Sequence, residues 1–219
     1  ALQVIKHPGK VHSCDFSPDN QTIVSGCYEG KVKIWNKSGK ILQEFKAHEW
    51  GLTSLCFSPN GKAILSGSDD KTMNMFDLNG HVLQHFQGHS HDIHAACFSK
   101  DGNFILTGNG DHTAKLWDIL NYKYHNFVGH KKRVVSVAAS PNGQYLLTGS
   151  EDNTAKLWDI HGKELQTFNL PDEVNSVSFS SDGNSILTGC LTGCTKLWDL
   201  TGKELQMFKQ EEEVSSAVF

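Results

Sequence analysis

The chain has 219 residues, with 20 Lys plus Arg against 24 Asp plus Glu and a formal net charge of -4. A chain of this length buries a sizeable core in one or two domains, and its balanced charge gives no general electrostatic reason to bind nucleic acid or an anionic membrane surface. No stretch is long and apolar enough to cross a bilayer as a helix, and the start lacks the charged head and apolar core of a secretory signal.

From the start, residues 2–5 match the later stretch 42–45 and read as an outer strand. Tight turns then recur: Ser17-Pro18-Asp19-Asn20, Ser58-Pro59-Asn60-Gly61, Ser99-Lys100-Asp101-Gly102, Ser140-Pro141-Asn142-Gly143 and Ser180-Ser181-Asp182-Gly183. Pro fixes φ at the corner, while Asn, Asp and Gly tolerate the positive φ that tight hairpins need. After each turn comes a short apolar run ending in Ser or Thr and then Gly, as in Ile64-Leu65-Ser66-Gly67 and Leu146-Leu147-Thr148-Gly149. An aromatic anchor follows at Trp35, Phe76, Trp117, Trp158 and Trp198, at spacings of 41, 41, 41 and 40 residues. Regularity on this scale marks a repeat architecture.

The apolar runs are too short for helices, and each is bounded by a turn signal. In the fourth repeat the strands are expected at Val134–Ala139, 144–148, 154–158 and 164–168, and no helix of useful length is expected anywhere. The repeats run about 1–40, 41–81, 82–122, 123–163 and 164–203, with a partial sixth over 204–219 whose residues 214–219 match Val174–Phe179. A single four-stranded sheet cannot hide both its faces, so radial stacking of copies is the expected solution, in one all-β domain over 1–219.

Gly88-His89, Gly129-His130, Trp117-Asp118, Trp158-Asp159 and Trp198-Asp199 sit in register across the chain. With the Ser-Pro-Asn-Gly turns and the Thr-Gly-Ser runs, this text resembles the WD40 repeat family of β-propellers. The resemblance implies five complete four-stranded blades, a leading outer strand and a trailing inner strand. Family propellers usually have seven blades, so the chain is expected to be a fragment, or a ring whose gap another chain fills. The compartment implied is the cytoplasm, or the nucleus in a eukaryote.

The family also implies a buried network of His, Ser or Thr, Asp and Trp within each blade. By position it comprises His89, Thr107, Asp111 and Trp117 in the third repeat, and His130, Thr148, Asp152 and Trp158 in the fourth. The first offers His7, Ser25, Glu29 and Trp35, where the longer Glu unsettles the geometry. The second offers His48, Ser66 and Asp70, but Phe76 brings no indole donor for Ser66. The fifth keeps Thr188 and Trp198, with Leu170 and Thr192 in place of His and Asp. The trio resembles a catalytic triad on paper, but its recurrence in packed cores makes it structural.

Partners in the family commonly dock on the face built by the loops between blades and the turns after the second strand. The corresponding positions are Lys10, His12, Tyr28, Asp69, Asp92, His94, Arg133, Glu151, Glu173 and Glu213. Lys131-Lys132-Arg133 lies on one loop, with Asp172-Glu173 and Glu211-Glu212-Glu213 on the next two. This split rim is either ordinary solvated loops or a polar recognition surface. Trp50 lies outside the repeated aromatic column, so it is either folded over the rim or a contact anchor, and the anchor is favoured.

The expected function is therefore a non-enzymatic scaffold binding proteins or peptides at the rim, with no nucleic acid, membrane or cofactor. The alternative is a structural or sensory module for a kinase or nucleotide-hydrolase domain on the same polypeptide. The inner strands Val134-Val135-Ser136-Val137 and Val174-Asn175-Ser176-Val177 carry no catalytic ring. A metal reading of His89, His91 and His94 is disfavoured because His89 already has a core role. The six cysteines, Cys14, Cys27, Cys56, Cys97, Cys190 and Cys194, are scattered at positions that other repeats fill with other residues, and they read as small buried or half-buried thiols in a reducing compartment rather than as a disulfide framework. The sequons at Asn20 and Asn36 read as chance.

Overall fold

A computed structural model of the protein describes residue 7, residues 9–210, residue 214 and residues 216–219. The regular elements among them are all strands, arranged as five four-stranded antiparallel sheets, each a meander in chain order. The first sheet holds β1 (Val11–Phe16), β2 (Thr22–Cys27), β3 (Lys31–Asn36) and β4 (Ile41–Lys46). The second holds β5 (Leu52–Phe57), β6 (Ala63–Ser68), β7 (Met73–Asp77) and β8 (Val82–Phe86). The third holds β9 (Ile93–Phe98), β10 (Phe104–Asn109), β11 (Thr113–Asp118) and β12 (Lys123–Val128). The fourth holds β13 (Val134–Ala139), β14 (Tyr145–Ser150), β15 (Thr154–Asp159) and β16 (Glu164–Asn169). The fifth holds β17 (Val174–Phe179), β18 (Ser185–Cys190), β19 (Cys194–Asp199) and β20 (Glu204–Lys209).

The first hairpin of each sheet turns on one serine. Ser140 Oγ donates to Asn142 Oδ1 at 2.7 Å and accepts the Tyr145 amide at 2.9 Å, and Ser17, Ser58, Ser99 and Ser180 repeat the arrangement. The fourth turn residue is left-handed in every sheet, with φ of 56° at Asn20 and 69° at Gly143, which is why Asn or Gly stands there.

The chain divides into two compact units, Ala1–Ala96 and Cys97–Phe219. Inside each, consecutive sheets stack face to face. Val24, Ile34, Leu52, Phe57 and Phe76 form one core across the first two sheets. In the second unit Leu106, Leu116, Val134 and Trp158 form another, and Leu147, Leu157, Val174, Ile186 and Trp198 a third. The recurring Gly before the end of the second strand follows from this stacking. A Cβ on Gly26 would lie 2.4 Å from Leu52, and one on Gly149 would lie 2.9 Å from Val174. Only a bare backbone lets the next sheet close down.

A serine column ties the stacked inner strands together. Ser54 Oγ accepts the Ala96 amide at 3.0 Å and donates to the Ala96 carbonyl at 3.2 Å. Ser13 does the same to Leu55, Ser176 to Ala217, and Ser136 accepts the Val177 amide. Residues 2–5, expected as an outer strand, lie outside the described residues. Residues 214–219, expected as an inner strand, join no ladder where they are described. Val214 nevertheless packs on Gly189 as the earlier inner strands pack on theirs.

Candidate interaction face

The buried network sets the rigid base on which the loops stand. In the fourth sheet His130 Nε2 lies 2.7 Å from Thr148 Oγ1, and Trp158 Nε1 donates to the same hydroxyl at 2.9 Å. Asp152 Oδ2 lies 2.9 Å from His130 Nδ1 and accepts the Lys131 amide at 2.8 Å, tying the preceding loop to the turn. Burial pushes the His130 and His48 imidazoles below their ordinary value, and the facing carboxylates offset this only in part. Burial also pushes the Asp152 carboxyl up, but hydrogen bonds from Thr154, the Lys131 amide and His130 outweigh it and leave the group lowered.

The other sheets vary this theme. In the second, His48 reaches Ser66 at 2.8 Å and Asp70 at 3.0 Å, and Ser66, without an indole donor, lies 3.5 Å from the Asn74 carbonyl. In the third, Trp117 donates to Thr107 at 2.9 Å, Asp111 caps the Thr113 amide, and His89 is buried. In the first, His7 and Trp35 both reach Ser25 at 2.6 Å, but Glu29 takes the Cys27 thiol instead, and His7 Nδ1 is buried without a partner. Glu29 has one methylene too many to turn back beneath the imidazole.

The fifth sheet corrects the reading of the cysteines. Cys190 and Cys194 are not free thiols: they form a disulfide across the three-residue turn Leu191-Thr192-Gly193, with Cα atoms 5.2 Å apart. Cys194 occupies the position of Thr113 and Thr154, whose hydroxyls bond the turn Asp in their own sheets. Leu170 fills the histidine site and packs with Cys190, Cys194 and Trp198. A covalent tie within an apolar cluster therefore stands where the other sheets have a polar network. Trp198 still donates to Thr188 at 2.9 Å. Cys14, Cys27 and Cys97 are free of disulfides, and the Cys56 thiol donates to the Ala96 carbonyl at 3.8 Å.

In the first, second, fourth and fifth sheets the loop before the inner strand is stitched to the turn after the second strand by one backbone bond. The Tyr28 amide donates to the Lys10 carbonyl at 3.0 Å, Asp69 to Gly51 at 3.0 Å, Glu151 to Arg133 at 3.1 Å and Leu191 to Glu173 at 2.9 Å. In the first unit this gathers an aromatic cluster. Trp50 is 62% exposed and Tyr28 61%, although both are large aromatics. The Tyr28 ring lies against Gly51, the residue after Trp50, with the Asp69 carboxylate on the same side of that glycine. His12 adds its ring 5.9 Å from that of Tyr28, and Lys10 is exposed beside it. Asp92 and His94 come within 3.1 Å of each other but off hydrogen-bond geometry.

The charges expected to split the rim mostly meet each other. Lys132 lies 3.8 Å from Glu173, and Arg133 lies 4.0 Å from Glu151. Exposed pairs of this kind contribute only about 0.2–1 kcal/mol and leave little net field. Glu211, Glu212 and Glu213 lie outside the described residues. Among the described residues, no group of three or more His, Cys, Asp or Glu side chains is placed to hold a metal ion, and no helix is long and apolar enough to cross a membrane.

A comparison with curated proteins found no match. The family model described as IFT122 first beta-propeller matches residues 51–219, and the model described as WD domain, G-beta repeat matches residues 2–36. The chain is a WD40 β-propeller of the first of these families. Each sheet is thus one WD40 blade, and the aromatic column lies on the third strand of each blade at Trp35, Phe76, Trp117, Trp158 and Trp198. WD40 propellers are typically non-enzymatic scaffolds that bind other proteins. The serine column was not among the residues singled out from sequence, although Ser13, Ser54, Ser136 and Ser176 recur in register and only Ala95 interrupts them.

Proposed function

We propose that the protein is a non-catalytic scaffold whose loop face in the unit Ala1–Ala96 binds an extended segment of another protein, with Trp50 as anchor. The observation that supports this is the exposure of Trp50 and Tyr28 around Gly51, on loops held by backbone bonds to Lys10 and Gly51. Rigid aromatic surface of this kind is what interface hot spots use, and truncating such an anchor typically costs 2 kcal/mol or more of binding. Asp69 supplies an acceptor beside the rings, suited to a backbone amide or a basic side chain of the partner.

Capture of partners by the intact chain, compared with Trp50→Ala and with Lys132→Glu, tests this. The Trp50→Ala chain loses the main partner, and the Lys132→Glu chain, changed in the other unit, keeps it. Retention of the same partner by Trp50→Ala removes the proposal.

A further inference from the structure

Five inner strands and strand ends carry phenylalanine at one register position: Phe16, Phe57, Phe98, Phe179 and Phe219. The fourth blade alone has Ala139 there. At the junction of the first two blades Phe57 fills this place and is 6% exposed, in the core with Val24 and Ile64. At the junction of the fourth and fifth blades Phe179 packs on the core in the same way. Between the third and fourth blades the ring is missing, and a partly open cavity of about 190 Å³ lies in its place.

The walls of the cavity are apolar. Phe104 and Leu116 line it from the third blade, and Ala139 and Leu146 from the fourth, with exposed His125 and Ile160 at the lip. A second departure widens the mouth. Gly61 faces the Pro18 ring and Gly183 the Pro141 ring, each at 3.4 Å from where a Cβ would lie, whereas a Cβ on Gly143 would meet nothing within 4 Å. The third blade carries Lys100 where the first and fourth carry those prolines. Gly143 also borders a polar groove of about 290 Å³ lined by Lys100, Asp101 and Asn142. The apolar slot and the polar groove therefore meet at one residue.

We propose that this slot is a second binding site, which takes a phenylalanine-like side chain from an extended segment of a partner polypeptide. The ligand class follows from the blades themselves: the cavity is what remains when the chain's own phenyl ring is withdrawn from a junction that elsewhere holds one. An apolar cavity of roughly 150 Å³ lined by Leu, Ile and Phe stays dry and binds benzene, so a slot of this size and lining accommodates one aromatic ring. The adjoining groove gives the backbone of the segment polar partners in Lys100, Asp101 and Asn142. The site lies at the β13–β14 turn, at the opposite end of the strands from the loops that join successive blades, and is independent of Trp50.

Methyl NMR of the full chain titrated with N-acetyl-phenylalanine amide, and separately with N-acetyl-alanine amide, tests the assignment. The aromatic probe shifts the Ala139, Leu116 and Leu146 methyls saturably, and the alanine probe leaves them in place. Ala139→Phe restores the ring in cis and weakens the aromatic probe by about tenfold or more, while Ala139→Val narrows the slot and carries the same comparison if the larger side chain unfolds the chain. Absence of any saturable shift in the native chain overturns the proposal, as does undiminished binding in the filled variant.

Discussion

Asp152 Oδ2 stands 2.9 Å from His130 Nδ1 and 2.8 Å from the Lys131 amide, so one carboxylate oxygen holds both a buried ring and the loop that carries it. Its other oxygen accepts the Thr154 amide at 3.0 Å. Asp152→Asn keeps the shape but disturbs several bonds at once, and leaving buried groups unpaired costs about 1–3 kcal/mol each. We expect it to lower the urea midpoint clearly more than Thr192→Ala in the fifth blade, where no such network exists. Equal midpoints would show that the network adds nothing.

The imidazoles of His48 and His130 are held below the ordinary histidine value of 6.5, first by burial. The folded chain then binds fewer protons than the unfolded chain once pH falls below that value. Stability is therefore full above the unfolded pKa and declines as pH falls beneath it toward the lowered folded values. Urea midpoints should drop between about pH 7.5 and about pH 5.5, and His130→Gln should lower the upper value while flattening the slope. A midpoint that is the same at both pH values contradicts this.

Glu29 misses His7 Nδ1, whereas Asp70 and Asp152 reach the matching nitrogens of His48 and His130. Glu29→Asp supplies the shorter arm. It should raise stability by about 0.5–1.5 kcal/mol, the usual net contribution of one hydrogen bond, as read from the urea midpoint. A neutral result places the carboxylate out of reach for reasons other than length.

A Cβ at Gly149 meets Val174 and Val177 at 2.9 Å, so Gly149→Ala forces the fourth and fifth blades apart. Overpacking of this kind costs about 1–3 kcal/mol. Gly143→Ala meets no neighbour and should cost only the strain of a left-handed alanine, about 1 kcal/mol. Thermal melting of the two variants should rank them in that order.

Of the six cysteines, Cys190 and Cys194 are joined and the other four are thiols outside that disulfide. Alkylation of the unfolded chain without reductant should therefore modify four, and reduction first should expose all six. Closing so short a loop contributes about 2 kcal/mol by chain entropy alone, so Cys194→Ala should lower the midpoint of the oxidised chain.

Much of this fold is legible in the text of the repeats, because each strand is bounded by a turn with its own chemistry. The Ser140-Pro141-Asn142-Gly143 turn places β13 to the residue, and β14 to β16 differ from expectation by only one or two residues at their ends. The network residues share a register with their copies, so position alone locates them. What escaped the reading lies in departures from the repeat. Cys190 and Cys194 occur together in one blade only, and their scatter against the other copies hid their placement across a single turn. Ala139 signals a void only when set against the phenylalanine column, and Ser136 and Ser176 look like solvent-facing inner-strand residues until the neighbouring strand is in place. The exposure of Trp50 depends on how its loop lies over the Gly30 turn, where the Gly30 carbonyl accepts the Ala47 amide at 2.8 Å, and no local pattern encodes that.

Trp50 is the one exposed tryptophan among five, since Trp35, Trp117, Trp158 and Trp198 are all buried. The part of the fluorescence that acrylamide quenches readily therefore reports on the proposed anchor. Peptides selected from a displayed random library on the intact chain should shield this indole from acrylamide quenching and lose affinity for Trp50→Ala by about thirtyfold, the factor that corresponds to ~2 kcal/mol. Selected peptides that bind Trp50→Ala equally well and leave the quenching unchanged contradict the scaffold face described above.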